Sequence, residues 1–438
     1  MKTEQVSVGS IIDNAALSRL QIITFILCGI IAILDGFDTQ AIAFVAPVIA
    51  RQWGLQSSSF GPVFGAGLLG LTVGALIFGP IADRFGRRTV IIWSTVMFGI
   101  FSALTPLSDS TISLIAFRFV TGLGLGGAMP NIIALTSEYS PSTRRATLVT
   151  RMFVGFPLGA VLGGLVSAPL MQRFGWEAVF YMGGILPLLL VPVLCLKLPE
   201  SIRFLSARVD RRQALGALLP QIDPNAAKQL PMTFESPPED KSALVSRLFR
   251  EGRGVGTILI WIVFFANLLI LYFLINWLPI VLQEAGLPIQ RAVIGVVALN
   301  AGGVLGGLGL AWLCDRTNPI AVLRLTYTIA AILVGLVGFA TTTSLGMVMV
   351  LIFLTGVFVN GSQFCMNALA ASYYPTAIRS TGVGWALGIG RIGSVIGPVV
   401  GGIFIGLGWT TPNIFLFTAA PALLAAVCVL LLGFVSRR

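Results

Sequence analysis

Twelve apolar segments of about 20 residues recur along the whole chain, and they constrain the fold more than any other feature of the sequence. A segment of this length crosses the hydrocarbon core of a bilayer as an α-helix, in which the backbone polar groups are hydrogen-bonded internally. Only 10% of the 438 residues are charged, which also favours a membrane protein over a soluble one. We therefore predict an all-α membrane protein. Its transmembrane helices are expected at residues 22–47, 58–81, 89–106, 112–136, 146–170, 176–196, 257–283, 291–313, 320–340, 345–370, 380–405 and 411–434.

The basic residues are divided unevenly between the two sides of the predicted membrane. When the loops are assigned alternately, 23 of the 28 Lys and Arg residues fall on one side and three, Arg51, Arg173 and Arg291, on the other. The remaining two, Arg118 and Arg391, lie inside apolar segments. This asymmetry is the positive-inside signature, so both termini are predicted to be cytoplasmic. Topology and contact with anionic lipid explain the net charge of +11, and no nucleic-acid partner is expected.

A polar stretch in the middle of the chain separates six apolar segments from another six. It predicts an N-terminal six-helix bundle (1–196), a cytoplasmic linker (197–256) and a C-terminal six-helix bundle (257–438). The two halves also resemble each other, because "PVIARQWGL" at 47–55 aligns with "PIVLQEAGL" at 279–287, an offset of 232 residues. Repeats of this kind indicate two pseudo-symmetric bundles, with substrate bound between them near the middle of the membrane.

Both halves contain glycines spaced four residues apart along one helical stripe. Small residues at this spacing allow neighbouring helix backbones to approach closely, so we predict that they serve helix packing. The glycines are Gly155, Gly159 and Gly163 in the first half, and Gly393, Gly397 and Gly401 in the second.

Two segments resemble motifs of the major facilitator superfamily: "GPIADRFGRR" (79–88), after the second predicted helix, and "RFVTGLGLGGAMPN" (118–131), in the fourth. The resemblance implies the two-bundle fold of that superfamily and a cytoplasmic gate built around the first motif. We expect Asp83 to cap a neighbouring helix, while arginines bind carboxylates or helix-terminal carbonyls across the interface between the halves. Glu138 is expected to pair with local arginines. The gate residues are Gly79, Asp83, Arg84, Gly86, Arg87, Arg88 and Glu138, with Asp315 and Arg316 from the second-half copy.

The segments "LDGFD" (34–38), "YFLINWLP" (272–279) and "YYPTAIRSTGVGWALGIGRIG" (373–393) resemble the aromatic acid:proton symporters, a family that imports 4-hydroxybenzoate, protocatechuate and benzoate. The resemblance covers essentially the entire chain. It implies a transporter of the bacterial cytoplasmic membrane that imports small aromatic carboxylates by proton symport with alternating access. There are two alternatives, because the fold alone determines neither the cargo nor the direction of transport. The cargo is another organic anion or a sugar acid, or the protein exports its substrate instead of importing it.

Four ionisable side chains lie inside the predicted spans, where each costs at least about 2.5–3.5 kcal/mol on insertion scales. They are Asp35, Asp38, Arg118 and Arg391. The internal repeat places uncharged residues at the equivalent positions of the other half, so the shared scaffold does not require charge there. We therefore predict a functional role for these charges. The equivalent residues are Asn267, Ile270, Ile352 and Phe153.

Asp35 and Asp38 are three residues apart and share one face of the first helix. Two carboxylates this close in a low dielectric do not both ionise easily, so one of them can take up and release a proton. The sequence contains no histidine, which makes this pair the predicted site of proton coupling. The alternative is structural: one acid caps a helix break at Gly36 while the other pairs with Arg118.

Arg118 and Arg391 can each bind a carboxylate, because the guanidinium group keeps its charge when buried and presents a planar fork of donors. We predict that Arg391 binds the substrate carboxylate. Arg118 is then expected to pair with Asp35 or Asp38 and to compete there with the proton. The reverse assignment of the two arginines stays open.

Polar and aromatic side chains complete the predicted substrate site. Three amides on one face of the tenth helix are expected to bind ring hydroxyls, with Tyr272 and Asn276 of the seventh helix opposite. Hydrogen bonds between helices are the alternative role for these groups. Phe37 and Trp385 are expected to stack on the aromatic ring. The three amides are Asn360, Gln363 and Asn367.

Other functional classes are disfavoured. None of the four lysines follows a glycine, so no Gly-x-x-x-x-Gly-Lys phosphate loop of an ATP-driven pump is present. Without histidine or a metal-ligand cluster, we predict no enzyme activity, no cofactor and no metal. The proton is the expected coupling ion, with sodium as the alternative. The expected partners are an aromatic carboxylate and membrane lipid, and the protein is expected to be a monomer.

Overall fold

In the computed structural model, most of the described residues belong to helices. The structure describes residues 11–13, 17–206, 208, 212–223, 244–340, 345–375 and 378–435, without the side chains of residues 146, 212, 315 and 380. Twelve helices in these ranges are long and apolar enough to cross a membrane, which confirms the predicted number. They are α1 (Arg19–Trp53), α2 (Ser57–Phe85), α3 (Arg87–Leu107), α4 (Thr111–Glu138), α5 (Thr147–Phe174), α6 (Glu177–Lys197), α7 (Gly254–Glu284), α8 (Ile289–Cys314), α9 (Pro319–Ala340), α10 (Leu345–Tyr373), α11 (Thr381–Gly406) and α12 (Thr411–Val435).

Several of the observed helices extend a few residues beyond the predicted apolar segments, because polar residues continue or cap them. At the start of α1, the Ser18 backbone N–H donates to the Gln21 side chain, and the Gln21 backbone N–H donates to Ser18 Oγ, at 2.8 and 3.3 Å. This capping box satisfies N–H groups that lack partners within the helix. The helix ends before Gly54, whose φ of 64° lies in the left-handed region that glycine adopts without strain. Hydropathy therefore locates the middle of a span, while polar and glycine signals locate its ends.

The spans form two six-helix bundles with the same internal packing. In the first bundle, α1 packs against α5, α2 against α4, and α3 against α6. In the second bundle, α7 packs against α11, α8 against α10, and α9 against α12. Each pairing recurs six spans later, so the pseudo-symmetric fold predicted from the sequence repeat is confirmed.

The regularly spaced glycines lie where paired helices cross. A Cβ atom at Gly159 would overlap the backbone carbonyl of Ile33 across the α1–α5 contact. A Cβ atom at Gly397 would likewise overlap the carbonyl of Leu269 across the α7–α11 contact. Because only glycine allows these backbones to come so close, the predicted packing role is confirmed at both positions.

The two bundles are in contact mainly in the middle of the membrane and at one of its faces. We call the face at which α1 begins the basic end, and the opposite face the far end. At the far end, the rings of Phe64 on α2 and Trp277 on α7 meet edge to face, 5.4 Å apart between centroids. The Ser57 hydroxyl also donates to Glu284 at 2.6 Å, across the two bundles. These contacts close the far end in this conformation.

Short helices occupy part of the segment between the bundles, at Ile202–Ser206, Arg212–Ile222 and Leu244–Arg247. Apolar side chains such as Leu219 join a hydrophobic cluster with the basic end of the first bundle. Residues 224–243 of the predicted linker lie outside the described residues.

Candidate functional site

Asp38 and Arg118 form a buried ion pair inside the first bundle. Nη2 of Arg118 lies 2.7 Å from Oδ2 of Asp38 and 3.3 Å from its backbone carbonyl oxygen. The hydroxyl of Ser102, on α3, donates to the other carboxylate oxygen of Asp38. The side chains of Asp38 and Arg118 are 0% and 2% exposed, so both members of the pair are buried. Both oxygens of Asp38 are thus engaged, and the pair joins α1, α3 and α4.

Asp35 is as deeply buried as Asp38 but has fewer partners. Its Oδ1 accepts a hydrogen bond from the Thr39 hydroxyl, one turn further along α1, at 3.1 Å. Its Oδ2 has no hydrogen-bond partner among the described residues. A buried carboxylate oxygen without a partner is costly unless it carries a proton or a ligand donates to it. The two acids therefore occupy different environments, and Asp35 is the one available for further bonding.

Arg118 keeps unused hydrogen-bonding capacity. Its Nε and Nη1 are buried and lack partners within the part of the chain that the structure describes. Its guanidinium carbon lies 5.3 Å from the centre of the Phe180 ring, an electrostatically favourable contact that uses none of the N–H donors. The side chain borders a small cavity that is also lined by Thr39 and Asn276. Of the two acids predicted as its partner, the structure pairs Arg118 with Asp38.

Arg391 of the second bundle is half-buried, and it donates from Nη1 to the Tyr272 hydroxyl of α7 at 3.2 Å. Its charge acts on Asp35 of the first bundle only at longer range, because no direct ion pair joins these two described side chains. On the same face of α7, the Asn276 side chain donates to the Tyr272 carbonyl oxygen at 2.7 Å. A partly accessible cation and the incompletely bonded acid, from opposite bundles, thus lie within electrostatic range of each other without direct contact.

Two of the three amides predicted on the tenth helix are bonded to other side chains. Gln363 accepts a hydrogen bond from the Asn267 side chain of α7 at 2.7 Å and donates to Asn367 at 3.1 Å. Asn360 packs against Gly303 of α8. In this conformation Gln363 therefore has the structural role that was given as the alternative, a hydrogen bond between helices.

The two aromatic residues predicted to stack on a substrate ring pack against other parts of the protein. Phe37 is buried inside the first bundle, where it packs against Gly163 of α5. Trp385 is 43% exposed and stacks on Trp261, with 5.8 Å between ring centres. Helical spacing places Trp385 on the same outer face of α11 as the exposed Ile392. Aromatic residues occur on every face of an apolar span, so residue type alone did not reveal these orientations.

A pair of amides that the sequence analysis did not identify joins the bundles in the middle of the membrane. The side chains of Gln40 on α1 and Asn300 on α8 exchange two hydrogen bonds, of 3.2 and 2.9 Å. They are 1% and 2% exposed. Each amide supplies a donor and an acceptor to the other, so the pair specifies this arrangement of the bundles. A signal was present, because each is the one amide side chain in its predicted apolar segment.

The charged residues at the basic end bond to one another within the first bundle. Nε of Arg87 lies 2.9 Å from Oε1 of Glu138, at the end of α4. The Arg88 side chain donates to the Cys195 carbonyl oxygen, near the end of α6. Glu200 accepts a hydrogen bond from the Arg88 backbone N–H at 3.0 Å and so caps the N-terminus of α3. These bonds tie α3 to α4 and α6, whereas the motif predicted that the arginines reach across the interface between the halves.

Asp83 does not cap a helix as predicted. Its side chain is 77% exposed and lies 4.0 Å from Arg87. Glu200, from the segment after α6, occupies the capping position at the start of α3 instead. Burial raises the pKa of Glu200, while the backbone N–H groups that donate to its carboxylate oppose that rise. The cap comes from a residue more than 100 positions away in sequence, a distance at which the local motif carries no information.

The remaining gate residues have fewer contacts. Gly79 has open space where a side chain would begin, and Arg84 is exposed. The guanidinium carbon of Arg316 lies 4.4 Å from the centre of the Trp312 ring. The side chain of Asp315 lies outside the described residues, so the role of the second motif copy stays a prediction.

Replacing Gly86 with alanine is expected to destabilise the basic end, whereas the same change at Gly79 is not. Gly86 has a φ of 98°, and a Cβ atom there would overlap the Glu200 carboxylate. Strain of this kind costs about 1–3 kcal/mol, so the unfolding temperature in detergent should fall for Gly86→Ala. Gly79→Ala, in the same motif, is the matched control. Equal unfolding temperatures for the two variants would contradict the packing described here.

Twelve spans in two repeat-related bundles, with ionisable side chains buried within the spans, define a polytopic membrane transporter. The sequence matches the Major Facilitator Superfamily over residues 28–344 and 321–438, and the chain belongs to this family. It is 40% identical to the 4-hydroxybenzoate transporter PcaK of Pseudomonas aeruginosa, over 99% of this chain and 97% of the relative. It is 37% identical to the gallate transporter of Pseudomonas putida, over 96% and 94%. The benzoate transport protein of Acinetobacter baylyi is 32% identical, over 98% and 93%. The resemblance to aromatic acid transporters that the sequence motifs indicated is confirmed.

Solved structures share the fold at low sequence identity. A D-xylose-proton symporter has a TM-score of 0.71 at 17% identity, covering 93% of this chain and 97% of that one. A bacterial homolog of the human lysosomal transporter Spinster, in an inward-facing and unoccupied conformation, has a TM-score of 0.69 at 17% identity, covering 96% of both chains. At these identities the likeness concerns the fold alone.

Proposed function

We propose that this chain imports small aromatic carboxylates across the bacterial cytoplasmic membrane by proton symport, with both termini in the cytoplasm. The observation that carries the proposal is the juxtaposition of a half-buried cation, Arg391, and a buried acid with an unpartnered oxygen, Asp35, from opposite bundles. The cation suits an anionic substrate and the acid suits a proton. The names of relatives that transport 4-hydroxybenzoate, gallate and benzoate support the class of cargo.

Arg391 is the proposed binding partner of the substrate carboxylate. Its one hydrogen-bond partner among the described side chains is the Tyr272 hydroxyl, which leaves guanidinium N–H groups for a bidentate bond to a carboxylate. The amides Asn360 and Asn367 of α10 are proposed to supply donors and acceptors for the ring hydroxyls of the bound acid. Arg118 is not proposed for this role, because its short bond to Asp38 already uses its charge.

Proton and substrate binding are coupled through the interaction between Arg391 and Asp35. Without substrate, the positive charge of Arg391 attracts an ionised Asp35. A bound carboxylate neutralises that charge, so ionised Asp35 loses its counter-charge and a proton binds there more readily. Substrate and proton therefore favour each other's binding, as symport requires. Asp38 takes no part in the transfer, because its two oxygens are held by Arg118 and Ser102.

Alternating access follows from how the bundles meet. We assign the basic end to the cytoplasm on the positive-inside rule, so the far end, closed by cross-bundle contacts, faces the outside. The conformation is then one that opens toward the cytoplasm. To admit external substrate, the bundles must rock apart at the far end and break the Gln40–Asn300 pair, which lies between them.

Replacing Gln40 with leucine is expected to open the far end more often. The change leaves Asn300 without its cross-bundle partner in the closed state. This destabilises the closed state by about 1.4 kcal/mol and so raises the open-to-closed ratio about tenfold. Spin labels at Gln56→Cys and Leu407→Cys, exposed far-end sites on the two bundles, would report the change as a larger population of long distances.

The double variant Gln40→Leu/Asn300→Leu is the control for the Gln40 prediction. With both amides removed, no buried polar group is left unpaired. The double variant should therefore shift the distances by less than the sum of the shifts that Gln40→Leu and Asn300→Leu cause separately. Unchanged distance distributions in all three would show that the pair does not hold the far end closed.

Uptake into proteoliposomes tests the proposed function directly. A panel of radiolabelled benzoates is offered with and without an inward pH gradient, and with sodium gradients in a parallel series. We expect accumulation of aromatic carboxylates that rises with the pH gradient. Accumulation that follows sodium instead would overturn the proton assignment, and selective uptake of sugar acids or aliphatic anions would overturn the cargo.

A further inference from the structure

A second cavity lies on the seam between the bundles at the far end. It has a volume of about 290 Å³ and is remote from Arg391: Arg51 is 16 residues beyond Asp35 on α1, about 24 Å along the helix axis. Two of the lining residues, Val48 and Arg51, belong to the first bundle, and the rest belong to the end of α7, the start of α8 and the loop between them. The latter are Gln283, Leu287, Pro288, Ile289 and Gln290.

The lining combines one guanidinium group, two amides and apolar side chains. Arg51 is exposed, and none of the described residues that line the cavity is acidic. The nearest acid in sequence, Glu284, is hydrogen-bonded to Ser57. The combination suits a ligand that is anionic at one end and apolar along its body, with a carboxylate on Arg51 and a ring against the apolar wall. The volume is close to the lower limit of small-ligand pockets, about 300 Å³, which suits a single-ring acid.

We propose that this cavity is a second, outer binding site for small aromatic carboxylates, and that a ligand bound there slows transport. The proposal rests on the proposed function, because it assigns the same class of ligand to a different place. A ligand in the cavity contacts both bundles, and opening of the far end would pull its two walls apart. Because such a ligand binds the closed far end better, it shifts the population toward that state. External substrate at high concentration therefore inhibits its own import.

Arg51→Gln tests the outer site, with Arg173→Gln as the matched control. Arg173 is another exposed arginine near the far end, at the end of α5, and it does not line the cavity. Initial uptake of radiolabelled 4-hydroxybenzoate is measured in proteoliposomes, up to concentrations far above half-saturation. The initial uptake rates of wild type and Arg173→Gln should fall at the highest substrate concentrations. Arg51→Gln should reach a plateau instead, because losing a charge-assisted hydrogen bond weakens the outer site about tenfold. The half-saturating concentration should stay unchanged.

Calorimetry on the purified protein separates the two sites. In Arg391→Ala, which lacks the central carboxylate partner, 4-hydroxybenzoate should bind to one weak site, and adding Arg51→Gln should weaken that site about tenfold more. 4-Methylphenol, which has no carboxylate, should not bind there. Identical uptake curves for wild type and Arg51→Gln, or no residual site in Arg391→Ala, would overturn the outer site and leave the proposed function standing. Absence of aromatic acid uptake by the wild type would instead overturn the proposed function.

Discussion

Replacing Arg391 with alanine is expected to abolish saturable uptake of aromatic acids while the protein still folds. Arg391 is half-buried and its described hydrogen bond goes to a neutral hydroxyl. Its removal takes the counter-charge from Asp35, but that acid can bind a proton, so no buried charge has to stay unpaired. A bound carboxylate, by contrast, loses its charged partner in a low dielectric. That loss costs about 3 kcal/mol or more, at least about 100-fold in Kd. Calorimetric titration with 4-hydroxybenzoate in detergent measures the difference.

Two further variants make the Arg391 result specific. Arg391→Lys keeps the charge but loses the planar fork, so its affinity should fall between those of wild type and alanine. Arg324→Ala removes an exposed arginine of α9 and should bind normally. Normal binding by Arg391→Ala would overturn the assignment. If binding were lost in a folded Arg118→Ala variant instead, the reverse assignment of the two arginines would be correct.

The sequence predicted the architecture well, because hydropathy and the internal repeat reflect physical requirements that act on whole helices. A span must be apolar over its length in order to cross a bilayer. Each of the twelve predicted segments therefore covers most of the corresponding observed helix. The offset between the halves predicted that helix pairings recur six spans later. Glycine spacing predicted close crossings, which the contact between Gly159 and Ile33 illustrates.

The individual partners of the site residues could not be predicted, because they depend on which way a side chain points around its helix. Charge in an apolar segment revealed Asp35, Asp38 and Arg118, but not that Asp38 would hold the arginine. Ser102 was missed because a serine in a span most often bonds to its own helix backbone, and only the packing of α3 brings it to Asp38. Glu200 was missed as a cap because its target lies in another part of the chain.

Replacing Asp35 with asparagine is expected to uncouple transport from the proton gradient without unfolding the protein. The amide keeps the shape of the side chain and can still accept the hydrogen bond from Thr39, but it cannot take up and release a proton. Substrate bound at Arg391 should still cross the membrane. Exchange of radiolabelled 4-hydroxybenzoate against unlabelled substrate should therefore continue, while accumulation driven by an inward pH gradient should disappear. Both are measured in the same proteoliposomes.

Asp38→Asn is the matched control, since it makes the same chemical change one turn away and should have a different effect. It leaves Arg118 buried without a counter-charge, which costs about 3–5 kcal/mol, so the unfolding temperature should drop sharply. The second change in Asp38→Asn/Arg118→Gln removes that charge and should restore part of the stability. A stable Asp38→Asn that loses proton-driven accumulation, together with an Asp35→Asn that keeps it, would move the coupling proton to Asp38. Wild-type accumulation in both variants would remove the acid pair from the mechanism.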